Sequence, residues 1–137
     1  MKGLDSILLV DDDSIANHLH ERLIKKLKLG RQVYTKTNGR EALKFIEEQY
    51  YSSRTLPSLI ILDISMPVMD GIDFIKEICQ SNLLYVKRIP IAILSNSVHA
   101  EDVRRVNEVR PCFYVAKPLT EAKLNVIIEN ALTSPAN

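Results

Sequence analysis

Four apolar runs in this chain end abruptly on residues that can do chemistry. Ile7 to Val10 gives way to Asp11-Asp12-Asp13-Ser14, Leu59 to Leu62 gives way to Asp63, Ile91 to Leu94 to Ser95, and Cys112 to Ala116 to Lys117. Three carboxylates brought within a few ångströms of one another repel, and they stay ionised together only with a cation among them. Oxygen donors that leave room for water suit a hard ion of octahedral preference such as Mg²⁺. Together with Mg²⁺, the Lys117 ammonium and the Ser95 hydroxyl would surround the oxygens of a phosphoryl group, with Asp63 as the nucleophile. That chemistry requires a fold that brings the four run ends to one place.

The elements around them predict such a fold. Leu59 to Leu62, preceded by Pro57, is too short for a helix and reads as a strand buried on both faces, the kind found inside a parallel sheet. Ile7 to Val10, Pro90 to Leu94 and Cys112 to Ala116 read the same way, and Gln32 to Thr35 makes a weaker strand resting on Val33 and Tyr34. Helical spacing fills the intervals. The first helix starts at a cap on Asp12 or Asp13, carries Ile15, Leu19, Leu23 and Leu27 with Ala16 and Ile24, and is closed by Gly30. The second spans Glu41 to Tyr50, where Ala42, Leu43 and Ile46 outweigh the hairpin signal of Asn38-Gly39, and a polar loop follows from Tyr51 to Pro57. After bends at Met66-Pro67 and Asp70-Gly71, Ile72, Ile75, Ile78 and Cys79 mark a third helix, then a loop from Ser81 to Arg88. A fourth helix around Ala100 to Val109 has a thin apolar stripe of Val103, Val106 and Val109, and Thr120 caps a last helix bearing Leu124, Ile127, Ile128 and Ala131. Strand and helix alternate five times, which predicts an α/β, doubly wound parallel sheet with helices on both faces. Every strand then points its carboxyl end to the same side, where such sheets bind ligands.

The composition sets bounds on the rest. A chain of 137 residues is expected to form one domain, and 46% hydrophobic and 26% charged residues with a net charge of +1 describe an ordinary globular protein. No nucleic acid and no membrane is expected as partner, since there is neither a basic excess nor an apolar run of membrane-span length. Met1 to Asp5 lack a signal-peptide pattern, so a cytoplasmic location is expected. Cys79 and Cys112 read as buried free thiols, His18, His20 and His99 as surface or helix-face residues, and Arg104 and Arg105 as a solvated helix face. No glycine-rich nucleotide loop follows any strand.

Five segments together carry a family likeness: Leu8 to Asp12, Thr37 to Leu43, Leu62 to Gly71, Pro90 to Ser95, and Val115 to Leu119. From about Ser6 to Leu132 the chain resembles the receiver domain of bacterial two-component response regulators, in the single-domain, chemotaxis-regulator-like form. The resemblance implies a flavodoxin-like five-stranded sheet of order 2-1-3-4-5 with five helices, a receiver domain over residues 6–132 and a flexible tail over 133–137. It implies Asp63 as phosphoacceptor, and Mg²⁺ held by Asp12 directly, Asp11 mostly through water, Asp63, and the backbone carbonyl of Ser65. Ser95, the backbone amide of Asn96 and Lys117 would bind the phosphoryl group, and Ser95 and Tyr114 would form the switch. A sensor histidine kinase or histidine phosphotransfer protein would be the donor. The surface of the fourth helix, fifth strand and fifth helix would dock a downstream protein target, or the phosphoryl group would be handed on in a relay. Such a chain is a phosphoacceptor that assists its own phosphorylation and slow dephosphorylation rather than an enzyme acting on others.

Asn96 departs from the family, where that position is usually small, and this puts phosphorylation by small-molecule donors in question. Ser65 and Ser97, neither acidic nor amide, predict no fast loss of the phosphoryl group. Two other readings compete. Asp11-Asp12-Asp13 also resembles the first motif of haloacid-dehalogenase-type phosphatases, Ile93 to Asn96 the second and Lys117 the third, but the acidic pair required after the lysine is absent and Asp63 has no role there. A receiver-like binding module acting without phosphorylation would ordinarily have lost an acid or the lysine, and this chain keeps all of them.

Overall fold

A computed structural model describes residues 3–64, 70–83, 85–96, 100–110 and 112–133. Its strands are β1 (Leu4–Val10), β2 (Gly30–Lys36), β3 (Leu59–Asp63), β4 (Ile91–Ser95) and β5 (Phe113–Ala116). Its helices are α1 (Ser14–Lys26), α2 (Gly39–Ser53), α3 (Gly71–Gln80), α4 (Ala100–Val109) and α5 (Glu121–Thr133). The strands pair in parallel in the order β2-β1-β3-β4-β5, as the resemblance implies.

The doubly wound form follows from the unbroken apolar runs of β1, β3 and β4, Ile7 to Val10, Leu59 to Leu62 and Ile91 to Leu94. Successive side chains leave a strand on opposite faces, so an unbroken apolar run needs cover on both. One set, Leu8, Val10, Ile60, Leu62, Ile91 and Ile93, packs with Ala42 and Ile46 of α2, Phe74, Ile75 and Ile78 of α3, and Val106 of α4. The alternate set, Ile7, Leu9, Leu59, Ile61, Ala92 and Leu94, packs with Ile24 of α1 and Leu124, Ile127 and Ile128 of α5. All five residues of β3 and of β4 are buried.

The structure settles the cap of α1 and corrects local expectations along the chain. In α1 the Asp13 carboxylate is the cap, accepting from the backbone N–H of Ile15 at 2.9 Å and Ala16 at 3.3 Å. The expected stripe is not the core face at its start: Ile15 is 70% and Leu19 56% exposed, while Asn17 and Ile24 are buried. A four-residue step overshoots a 3.6-residue turn by about 40°. The four-residue row therefore drifts around the helix, and its members Leu23 and Leu27, half-buried, reach the core beside Ile24, the expected stripe residue that is fully buried. Gly30 does not close α1; the helix ends at Lys26, Lys28 takes the left-handed conformation (φ 57°), and Gly30 opens β2. α2 continues to Ser53 through residues expected as loop, and Arg54, also left-handed (φ 57°), ends it by donating its N–H to Tyr50 O at 2.9 Å. That last turn is exposed, Tyr51 included, so no buried apolar residue marks it. Within the expected loop from Ser81 to Arg88, a short 3₁₀ turn at Val86–Arg88 buries Val86.

Cys79 and Cys112 are free and half-buried. Among the described residues no helix is long and apolar enough to cross a membrane.

Candidate functional site

Register alone brings the candidate residues together. Val10 lies opposite Leu62, Asp63 opposite Leu94, and Ser95 opposite Ala116, so Asp11, Asp63, Ser95 and Lys117 stand in a row along the carboxyl edge. Asp11, Asp63 and Ser95 are 3%, 6% and 6% exposed, an unusual depth for two carboxylates, whereas Asp12 is exposed. One oxygen from each of Asp11, Asp12 and Asp63 lies within 4.8 Å of the others. The Lys117 Nζ stands 3.6 Å from Asp11 Oδ2 and 3.6 Å from Asp63 Oδ2. Among the described residues, one ammonium is shared between two of the three acids. This donor set of oxygens fits a hard divalent cation.

Backbone contacts hold the positions from which these side chains depart. Asp11 Oδ1 accepts the N–H of Asp13 at 2.9 Å, which aims the carboxylate across the strand end. The Asn17 amide donates to the carbonyls of Asp11 and Lys36, both at 3.1 Å, and so clips the ends of β1 and β2 together beneath α1. The Lys117 N–H donates to Ser95 O at 2.7 Å, adding one more rung between β4 and β5 and tying the hydroxyl position to the lysine position. Past β3, the Gly71 N–H donates to Ile64 O at 2.9 Å, and a Cβ at Gly71 would come within 2.8 Å of Ile64 Cα. Only glycine lets the chain press back onto the strand end there. Asp70 then caps α3, accepting from the Asp73 N–H at 2.9 Å.

Above the acids lies an open cleft walled by Ala16 and His20 of α1, Asn96, Pro118 and Leu119. His20 is half-buried there; burial lowers its pKa below the usual imidazole value, opposed by Asp11 and Asp13 and reinforced by Lys117. It lies on a helix face, as expected, but that face lines the cleft, and His20 and the buried Asn17 are site residues that motif matching missed. The signal was available: Asp13, Ala16, Asn17 and His20 follow each other at the three- and four-residue steps that share one helix face. Tyr114, paired with Ile93 in β4, packs against the cluster under α3 and α4. The Ser65 carbonyl, Ser97, His99 and the Met66-Pro67 bend lie outside the described residues.

A doubly wound sheet with acids and a lysine gathered beside the β1–β3 switch point defines an α/β protein that takes its ligand at the carboxyl edge. Comparisons with known proteins narrow this class. Residues 7–129 match the family model of the response regulator receiver domain. Response regulator Rcp1 of Synechocystis is 31% identical over 112 residues, which are 81% of this chain and 75% of that protein. The crystal structure of a two component response regulator from Cytophaga hutchinsonii superposes with a TM-score of 0.84 at 29% identity, covering 96% of this chain and 99% of that one. The receiver domain of the sensor histidine kinase PA1611 from Pseudomonas aeruginosa, with a magnesium ion coordinated in its active site cleft, superposes with a TM-score of 0.78 at 26% identity, covering 96% of this chain and 100% of that one. The chain belongs to the response regulator receiver domain family. Such domains serve two-component phosphorelay signalling, interact with histidine kinases or phosphotransfer proteins, and generally bind Mg²⁺ at an acidic pocket.

Proposed function

We propose that this chain accepts a phosphoryl group on Asp63 from the phosphohistidine of a sensor kinase or phosphotransfer protein, and signals through a changed surface as a cytoplasmic regulator. The observation that carries the reading is a buried Asp63 carboxylate, 3.6 Å from an ammonium shared with Asp11, at the floor of an open cleft. An Asp63 oxygen attacks phosphorus in line with the leaving imidazole. The oxygen–phosphorus bond forms, the phosphorus–nitrogen bond breaks, and its electron pair stays on the imidazole, which takes up a proton from water. The transition state is loose, so placement and charge do most of the work. Lys117 meets the phosphoryl oxygens from one side, with the Ser95 hydroxyl and the Asn96 amide as further donors. Asp11, Asp12 and Asp63, with the Ser65 carbonyl, would hold Mg²⁺, which when bound supplies further positive charge to those oxygens. The chain thus assists its own phosphorylation and is not an enzyme on other substrates.

Two surfaces divide the traffic. Ile15 and Leu19, exposed on α1 beside the cleft, offer apolar contact to the donor. The face of α4, β5 and α5 carries the output: Tyr114 lies on β5, and among the described side chains of α4 only Val106 is fully buried, so few contacts hold that helix.

The test is intact-protein mass after mixing with Mg²⁺ and a phosphorylated histidine phosphotransfer protein. The wild type gains one phosphoryl mass, lost under hydroxylamine and absent without Mg²⁺, and Asp63→Asn gains none. No gain from any of several donors would overturn the reading in favour of a binding module without phosphorylation. Hydrolysis of phosphate esters that survives Asp63→Asn but not Asp11→Asn would establish the phosphatase instead.

A further inference from the structure

We propose that Lys123 is a positioning residue for Lys117, holding the backbone on both sides of it so that its ammonium reaches both buried acids. Lys123 sits in the first turn of α5, where a cation faces the positive end of the helix dipole and is disfavoured. Its side chain has a task there. The ammonium turns back from the helix and donates to Ala116 O at 2.7 Å and to Pro118 O at 3.1 Å, the carbonyls immediately before and after Lys117. Its own N–H donates to Thr120 Oγ1 at 3.2 Å, which fixes the turn from which the side chain departs.

The contacts around Lys117 then close into a frame. Its N–H is held by Ser95 O at 2.7 Å, the carbonyls on either side by Lys123, and Leu119 is buried two residues on. Charge-assisted bonds to two carbonyls are stronger than neutral ones, and one ammonium spans both. With the backbone so restrained, the Lys117 side chain starts from a fixed base toward Asp11 and Asp63, 3.6 Å from each. Lys123 itself forms no ion pair with these acids, so it acts through Lys117 and not on the reacting group.

The inference rests on the reading of Lys117 as a phosphoryl-binding group, and its test separates the two. ¹³Cε-lysine NMR follows Lys117 directly, assigned by the resonance lost in Lys117→Met. In Lys123→Met the Lys117 resonance moves to the position of solvated lysines, and in Lys123→Arg, which keeps donors for both carbonyls, it stays. Phosphotransfer from the histidine donor slows roughly five- to tenfold in Lys123→Met, about 1–1.4 kcal/mol of barrier, and recovers in Lys123→Arg. In a Lys117→Met background, Lys123→Met changes the rate no further. An unmoved Lys117 resonance in Lys123→Met, or equal slowing with and without Lys117, would overturn the inference. If the wild type accepts no phosphoryl group, the functional reading fails while the resonance still decides the role of Lys123.

Discussion

Lys117 is asked to neutralise more charge than it carries. It stands between Asp11 and Asp63, and Asp12 closes the group with no ammonium of its own among the described residues. The site is therefore a source of strain that a divalent cation relieves. Mg²⁺ is expected to raise the unfolding free energy of the wild type by about 2.7 kcal/mol at a concentration one hundred times its dissociation constant, and the urea midpoint with it. In metal-free buffer Asp12→Asn is expected to be more stable than the wild type by about 1 kcal/mol, since one repelling carboxylate is gone, and to lose most of the Mg²⁺ response. Urea unfolding with EDTA and with graded Mg²⁺ checks both; an Asp12→Asn that responds like the wild type removes Asp12 from the ligand set. At this scale the sequence was most legible where chemistry ended an apolar run, as at Asp11, Asp63, Ser95 and Lys117. His20 and Asn17 are hidden from an apolar period because the side of α1 they occupy is polar.

Among the elements, α1 departs furthest from its sequence pattern, because it serves three surroundings at once. Its C-terminal half packs on the sheet through Ile24, its N-terminal half lines the cleft through Asp13, Ala16 and His20 and clips β1 to β2 through the buried Asn17, and a third side leaves Ile15 and Leu19 in solvent. Exposed side chains contribute little to folding, so Leu19→Lys is expected to leave stability within about 0.5 kcal/mol of the wild type. The same change is expected to slow transfer from a phosphotransfer protein by roughly tenfold, in line with the loss of an apolar anchor at an interface. Stopped-flow transfer beside thermal unfolding measures the two effects; a Leu19→Lys chain that is charged at the wild-type rate places donor docking elsewhere. The strands were far easier to read than this helix. Four to five apolar residues in a row admit one solution inside a doubly wound sheet, whereas a helix stripe at four-residue spacing drifts across faces. The end of α2 was illegible for a related reason, since its last turn is exposed and stops at a left-handed Arg54 with no glycine to announce it.

For the molecule as a whole, two side chains bound the pH range of full stability from opposite sides. Burial lowers the His20 pKa below its ordinary 6.5, so the folded state prefers the neutral ring, and stability is lost as pH falls from about that value. Burial pushes the Cys112 thiol from 9.0 up to about 11, so the folded state prefers the uncharged thiol, and stability is lost as pH rises between those values. Unfolding midpoints measured across pH are expected to stay level between these limits. His20→Gln flattens the first part of the acid limb and Cys112→Ala the alkaline limb; limbs unchanged in the variants would assign the losses to other groups. The overall architecture was legible because every level of the sequence agreed on it: short apolar strands, helical intervals of the right length, and polar residues at one set of strand ends.

The three-sided character of α1 has a consequence for how such a protein can diversify. Residues that meet the outside world, Ile15 and Leu19, and residues that serve the cleft, Asp13, Asn17 and His20, lie on different sides of one short rod. A duplicated copy can therefore exchange the first group freely, acquiring a new upstream correspondent while inheriting the chemistry intact. Insulation between two signalling lines in one cell then requires no new machinery, only a handful of substitutions along a single outward ridge.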